Sequence, residues 1–367
     1  MTSRIPLVDL ALRDSELTET MTVIRSVLER GWFVLGPEVR AFEEAMAASV
    51  RRRFAVGVGS GTDALTLILR GLEIGAGDEV IVPGMTAFAT AAAVLDAGAT
   101  PVLADVTPSV PLLDLHAALA CITGRTKAVI LVHLYGVCAD ADAFAAALSE
   151  RGVILVEDCA QAQGATLPSG RPVGTAGAAS AFSFYPTKNL AGLGDGGAVV
   201  CDDEELAREV EAWRSHGERG RRYWHERPAR NSRLDDIQAA VLRLRLDSLR
   251  DRIARRCELS AAYDRLMPRS AGYVAHGSSG APHLAVVAVD DRTGLARHLD
   301  GAGIATGVHY PFALSEQPAL AHHAAHADTP HARAWSRRCL SLPLHEHMTD
   351  RDAERVAAAV SEWMTSQ

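Results

Sequence analysis

Apolar residues at Leu17, Met21, Ile24 and Leu28 recur at three- and four-residue steps, which predicts an amphipathic helix from Leu17 to Arg30, ended by Gly31. Val39 to Val50 repeats that pattern, and Arg51-Arg52-Arg53 reads as its solvated end. The apolar run beginning at Phe54 passes through glycines into a helical stretch, Asp63 to Leu72. From Glu79 the pattern alternates. Short β-branched runs (Val80 to Val82, Pro101 to Asp105, Ala128 to Val132, Val153 to Glu157) are separated by helical stretches at Phe88 to Asp96, Leu112 to Cys121 and Asp140 to Arg151. That alternation is the signature of parallel β-α-β winding, in which ligands gather beyond the carboxyl ends of the strands. His133, Asp158 and the segment Ser183 to Lys188 fall at such ends. Two more apolar runs follow, Ala178 to Phe184 and Ala198 to Cys201, and then a helix through Leu206, Val210 and Trp213. Leu234 to Leu249 is helical with Ile237, Val241 and Leu244 along one face, and an Arg-rich continuation reaches Leu266 before Met267-Pro268 breaks it. Beyond lie a strand at Leu284 to Val289 and a helix near Thr293 to Ala302.

At 367 residues the chain exceeds the size at which one core usually stops growing. Two lobes are expected, residues 1–249 as an N-terminal segment with a large α/β domain and 250–367 as a smaller domain. The net charge of -8 offers no general attraction to nucleic acid or anionic membranes. No apolar run approaches the ~20 residues of a membrane span and the N-terminus lacks a signal peptide's apolar core, so a cytoplasmic protein is expected. The six cysteines are scattered without a C-x-x-C pair, which argues against a disulfide framework. Ten of the fourteen histidines fall after residue 275 without forming H-E-x-x-H, so a polar loop and no metal are expected there.

Candidate chemistry concentrates at Ala181 to Gly197, where Lys188 lies between two apolar runs and before a glycine-rich loop. Most lysines are simply exposed. Here the glycines permit close backbone approach to a ligand, and Asp158 ends an earlier strand, a combination suited to a lysine imine with an aldehyde cofactor. Gly57, Gly59, Gly61 and Thr62 precede a helix start whose free N–H groups attract an anion. They do not spell G-x-G-x-x-G, because position 62 is Thr, which disfavours a dinucleotide site.

The segment SFYPTKNLAGLGDGGAVV closely resembles the cofactor-lysine segment of the DegT/DnrJ/EryC1/StrS family of pyridoxal-phosphate (PLP) aminotransferases. VGVGSGTDAL, GATPVLADV, VHLYG, VEDCAQAQGA, NSRLDDIQAA, HYP and LSLPLHEHMTD extend the resemblance, in order, over nearly the full length. It implies a fold-type-I transferase, a large α/β domain with a mostly parallel sheet plus a smaller C-terminal α+β domain. PLP would be held as an internal aldimine on Lys188, which also shuttles the proton. Asp158 would face the pyridine nitrogen and Gln161 the phenolic oxygen, while Gly61, Thr62 and Ser183 hold the phosphate. Asn231 would reach the phosphate of the other subunit, so a homodimer with shared sites is implied. His133, Tyr135, Arg233, His309 and Tyr310 are the candidate substrate residues. The basic stretch from Arg214 to Arg233, with Tyr223 and Trp224, is either a solvated loop or a holder of a nucleotide's diphosphate and base.

The implied reaction moves an amino group, from glutamate, to a keto sugar carried on a nucleotide, in amino-sugar or antibiotic biosynthesis. A cyclitol ketone or other non-nucleotide substrate, and a non-catalytic regulatory member, are the alternatives. Lys188 argues against the dehydratase branch, which carries histidine. Three positions depart from the family pattern. Ala87 stands where an aromatic stacks on the cofactor ring, leaving Phe88, His133 or Tyr135 as substitutes. Cys159 and Arg230 occupy positions where small and aromatic residues, respectively, are more usual.

Overall fold

The structure, a computed structural model, describes residues 4–326 and 328–367. It opens with α1 (Asp14–Arg30) and α2 (Pro37–Val50), followed by β1 (Phe54–Val58) and α3 (Gly61–Gly71). The alternating part comprises β2 (Glu79–Pro83), α4 (Phe88–Ala97), β3 (Thr100–Ala104), α5 (Leu115–Ala120), β4 (Thr126–Val132), α6 (Ala141–Ser149) and β5 (Ile154–Asp158). Then come β6 (Ala179–Ser183), β7 (Gly197–Cys201), α7 (Glu204–Arg214) and α8 (Asp236–Leu266). The remainder holds β8 (Ala285–Ala288), α9 (Arg292–Gly301), β9 (Ala325–His326), α10 (Pro330–Arg338), β10 (Cys339–Leu342) and α11 (Asp350–Thr365).

The main sheet has the order β1-β7-β6-β5-β4-β2-β3-β9. Its strands pair in parallel from β6 to β9, while β7 runs antiparallel to both β1 and β6. The expected β-α-β winding is therefore present, and β1-β7-β6 add the antiparallel edge of an otherwise parallel sheet. Both faces are covered, as continuous apolar runs such as Ala128 to Val132 require. Leu65, Leu67 and Ile68 of α3 pack on one face with Val94 of α4 and Trp335 of α10. Phe42 of α2, Phe144 of α6 and Leu242 of α8 pack on the other. A smaller core joins Leu259 and Tyr263 of α8 to the antiparallel pair β8-β10 and to α9 and α11.

The expected division at 249/250 falls inside α8, which runs unbroken over 31 residues with no Gly or Pro to interrupt it. The chain also crosses that line at two other places. Ile5 joins the smaller core and bridges Ile304, whereas Leu320, Ala332 and Trp335 pack on the main sheet. Asp105, after β3, accepts the N–H groups of His331 and Ala332 at 3.1 and 2.9 Å and so caps α10.

Three local expectations need correction. Arg52 is not a solvated helix end, because its guanidinium reaches the carbonyls of Gly174 and Gly177 and pairs with Asp202 at 2.8 Å. His276, His283 and His345 are buried rather than placed in a polar loop. The apolar face of α1 does not enter the core, since Leu17, Met21 and Leu28 are all exposed.

Candidate active site

The carboxyl ends of β5 and β6 lie side by side, and that of β6 meets the N-terminus of α3. Gly61, the first residue of α3, lies so close to Ser183 that an added Cβ would come within 2.7 Å of the serine Cβ. A Cβ on Gly197 would come within 2.4 Å of the Ser60 backbone, so β7 presses on the same turn. Ser60 caps the helix by accepting Asp63 N–H at 3.0 Å. Among the described residues, the N–H groups of Gly61 and Thr62 and the Thr62 hydroxyl have no hydrogen-bond partner. With the Ser183 hydroxyl beside them and the helix dipole behind, they form an anion cup.

Asp158 ends β5 and is buried. Its Oδ1 accepts Ala160 N–H at 3.1 Å and its Oδ2 accepts the Thr90 hydroxyl at 3.0 Å. Burial pushes its carboxyl up from the ordinary value, against those bonds and the charge of Lys188. Two bonds leave lone pairs open, and the opposing charge is the lysine's. Lys188 is desolvated in turn, which brings its pKa down to about 8 although Asp158 pulls the other way. The loop behind it is held by Arg245, whose guanidinium donates to Ala191 O at 2.6 Å and Gly192 O at 3.2 Å. Gln238 accepts Leu193 N–H at 2.8 Å in the same loop.

Gln161 is oriented by the chain itself. Its Oε1 accepts Tyr135 N–H at 2.7 Å, so its Nε2 faces Tyr310, whose hydroxyl accepts at 3.0 Å. One amide proton is left for another acceptor. The Tyr310 hydroxyl is pushed up to about 12 by burial and remains protonated at neutral pH. His309 donates or accepts at Ser341 Oγ, 2.8 Å away, and its pKa is lowered by burial and by the charge of Lys188. His309 and Tyr310 thus stand near Lys188 and Gln161.

Other candidates are placed elsewhere. His133 does not line the site: it is fully buried, with Nδ1 accepting Ala139 N–H at 3.1 Å and Nε2 facing Glu157 at 3.2 Å. Because a backbone N–H can only donate, Nδ1 carries no proton and Nε2–H donates to the carboxylate. Tyr135 is also fully buried, and its hydroxyl donates to the His309 carbonyl. Its backbone sits in the left-handed region at φ 62 with its carbonyl accepting from His283 N, Leu284 N and His276 Nε2. Neither ring is free to cover a cofactor. Phe88 is two positions from Thr90 on α4; residues so spaced do not share a helix face, and Phe88 is 39% exposed while Thr90 is buried against Asp158. The aromatic cover missing at Ala87 is therefore not replaced by Phe88, His133 or Tyr135. Arg233 borders a concavity of about 840 Å³ with Arg222 and Tyr223, and Asn231 is exposed.

Two residues went unnoticed in the sequence. Thr90 lies one helical turn after Thr86, whose hydroxyl is 3.2 Å from its own, and that spacing was a usable signal. His283 is buried within reach of the charge of Lys188, with no local pattern to announce it. His133, Glu157 and Cys159 lie within 4.8 Å of one another, but the first two have their ligand atoms occupied by the bonds described above and by N–H groups of residues 174–177.

The site fits a phosphorylated pyridine aldehyde: an anion cup, a lysine of lowered pKa, a carboxylate with open lone pairs and an oriented amide. The comparisons agree. The model of the DegT/DnrJ/EryC1/StrS aminotransferase family matches residues 14–361. The chain is 44% identical over 368 residues to a dTDP-3-amino-3,4,6-trideoxy-alpha-D-glucose transaminase from Streptomyces venezuelae, covering 99% of this chain and 97% of that one. It superimposes on the structure of S. venezuelae DesV in complex with a ketimine intermediate with a TM-score of 0.94, at 44% identity and 99% coverage of both chains. It also superimposes on NtdA from Bacillus subtilis with bound cofactor PMP, at a TM-score of 0.92 and 26% identity, covering 100% of this chain and 86% of that one.

Proposed function

The chain belongs to the DegT/DnrJ/EryC1/StrS aminotransferase family and is a PLP-dependent aminotransferase; from that premise we propose that it transfers an amino group from glutamate to the keto group of a nucleotide-linked deoxysugar. The observation that carries the proposal is the facing pair of a desolvated Lys188 and a buried, half-satisfied Asp158 beside an empty-handed helix N-terminus. When bound, the cofactor supplies an electron-withdrawing ring that stabilises negative charge on the donor's α-carbon. Lys188 Nζ would anchor the aldehyde group and, when released from it by the donor amine, would be the base that moves the proton during the transfer. A pKa near 8 leaves part of that amine neutral at physiological pH, as a base requires. Asp158 would keep the pyridine nitrogen protonated. Gln161 Nε2–H would donate to the phenolic oxygen, and Gly61, Thr62 and Ser183 would hold the phosphate.

The nucleotide-sugar assignment draws on the S. venezuelae relative, named for a dTDP-sugar, and on surface chemistry. Of the arginines from 214 to 233, Arg214, Arg219, Arg227 and Arg230 are paired with carboxylates. Arg221, Arg222 and Arg233 have no carboxylate partner among the described residues, and Tyr223 is 74% exposed beside them. Free guanidinium groups with exposed rings suit a diphosphate and a base.

The working unit is proposed to be a homodimer in which each chain completes the other's site. Exposed Leu17, Met21 and Leu28 continue into exposed Trp32, Phe33 and Val34, an apolar surface of the kind that marks an interface. Asn231 is exposed and its amide has no hydrogen bond among the described residues, as suits a residue reaching the partner's phosphate. A cytoplasmic location is proposed as well; no described helix is long and apolar enough to cross a membrane.

The test is spectroscopic. Protein loaded with PLP should show a visible band that Lys188→Ala lacks. Glutamate should convert it to the amine form, and a dTDP-linked 3-keto-6-deoxyhexose should restore it. A band that no amino donor bleaches would overturn the transaminase reading, and faster restoration by a free cyclitol ketone would overturn the nucleotide-sugar one.

A further inference from the structure

Asp63 stands in the first turn of α3, one residue after the anion cup, and both its oxygens are engaged by the loop that carries Asn231. Arg230 NH1 donates to Asp63 Oδ1 at 2.6 Å, and the Ser232 hydroxyl donates to Asp63 Oδ2 at 2.8 Å. Arg230 also spans to Asp96 on α4 at 2.5 Å, and Ser232 Oγ accepts Gly59 N–H at 3.0 Å. The backbone is fixed on either side, with His216 N–H donating to Arg230 O and Ser232 N–H donating to Arg214 O, each at 2.9 Å. Between these two pinned neighbours the Asn231 side chain is left exposed and without a hydrogen bond among the described residues.

We propose that Arg230 and Ser232 form a clasp on Asp63 that positions Asn231, so that the turn holding a chain's own cofactor phosphate also aims the amide offered to its partner's. The inference rests on the reading of Asn231 given above. Partly exposed ion pairs add little to stability, so the significance of this one is geometric. The guanidinium is planar and reaches two carboxylates on two helices at once, which fixes the direction in which the loop leaves the surface. The aromatic residue more usual at position 230 has no such fork. Removing the clasp leaves Asn231 in place chemically but free to point elsewhere. Arg230 and Ser232 are thus positioning residues.

The experiment is a double-mutant cycle on the dimeric protein, reading the dissociation constant for pyridoxamine 5′-phosphate, which binds without a bond to Lys188. Asn231→Ala is expected to weaken binding about tenfold, the effect of one hydrogen bond to a charged group. Arg230→Ala should weaken it by a similar factor in the wild-type background and by less than about twofold when Asn231 is already alanine, because contacts acting through one residue are not additive. Ser232→Ala should behave in the same way with a smaller effect. Arg230→Lys, which keeps the charge and the fold but not the two-way fork, should lose roughly threefold. Undiminished loss from Arg230→Ala in the Asn231→Ala background overturns the clasp and leaves the Asn231 reading standing. No loss from Asn231→Ala overturns both, while the glutamate-dependent spectral change still decides the transaminase reading by itself.

Discussion

Glu157 and Asp158 are neighbours on β5, both carboxylates, both buried, and the strand's alternation turns them to opposite sides of the sheet. Glu157 is saturated. Its Oε1 accepts the N–H groups of Ala176 and Gly177, each at 2.7 Å, and its Oε2 accepts Gly174 N–H at 3.0 Å and the proton of His133. Burial pushes its carboxyl up, but the His133 bond and the backbone donors prevail and hold it below the usual 4.5. Asp158 has two partners and a raised pKa, with Lys188 as the opposing charge. One strand therefore carries a carboxylate that fastens the 174–177 loop and one whose hydrogen bonding is left unfinished. The chemistry lies where the protein stops satisfying its own polar groups.

The largest effect on this comparison is expected at Glu157. Glu157→Ala leaves three backbone N–H groups and His133 buried without their acceptor, and should lower the unfolding free energy by about 3–5 kcal/mol in urea titration of the cofactor-free protein. Since its folded pKa is depressed, the stabilisation is present above 4.5 and is lost as pH falls through the folded value, a dependence the variant should lack. Molecules of the variant that do fold should still form the visible band with PLP. A loss below about 1 kcal/mol would show that the bonds to Glu157 are replaceable.

Asp158→Asn should do the reverse. The carboxyl is raised by burial, so its charge opposes folding above its folded pKa, and the amide should leave the cofactor-free protein at least as stable at neutral pH. The glutamate half-reaction, followed by stopped-flow absorbance, should slow by about a hundred- to a thousandfold, as when one preorganised electrostatic partner is removed. Thr90→Val, which takes away one of the two bonds to Asp158, should give about a tenfold loss. An Asp158→Asn enzyme of near-normal rate would remove the distinction between the two carboxylates.

This division was half visible in the sequence. Asp158, Gln161 and Lys188 lie in short contiguous motifs, and Gly61-Thr62 sits at a strand-to-helix turn, so local pattern placed them. His133 was misread because the end of a strand resembles the end of a site; whether its ring turns toward the cleft or toward Glu157 depends on a partner 24 residues away. The parallel winding was readable from apolar alternation, whereas the pairing of β9 with β3 was not, since two residues carry no period. The continuity of α8 through residue 249 was readable too, in its lack of Gly and Pro, with Met267-Pro268 as its end.

A smaller effect is expected at the uncovered face. Ala87 caps α4 with only a methyl group where the family resemblance implies a ring, and Phe88, His133 and Tyr135 do not take its place. Ala87→Phe should tighten pyridoxamine 5′-phosphate binding by about 1 kcal/mol, roughly fivefold, as an offset ring contact supplies. Unchanged affinity would mean that the side chain at 87 does not reach the ring.

The finest test asks whether Asp158 and Lys188 share one field. Capture of PLP by the cofactor-free enzyme needs the neutral amine, so its rate should rise with pH and level off above about 8, well below the usual lysine value of 10.5. Burial causes the lowering and Asp158 opposes it, so Asp158→Asn should move the inflection further down, while Glu157→Gln, on the other side of the sheet, should leave it in place. The same linkage has a sign in stability. Between about 8 and 10.5 the unfolded chain binds the proton that folded Lys188 has released, so this residue makes the cofactor-free protein more stable as pH rises across that window. Lys188→Met should abolish that rise. An inflection near 10.5 would mean that the amine is solvated; one that ignores Asp158→Asn would mean that the carboxylate faces the pyridine nitrogen alone, and the lysine would have to be tuned by burial without it.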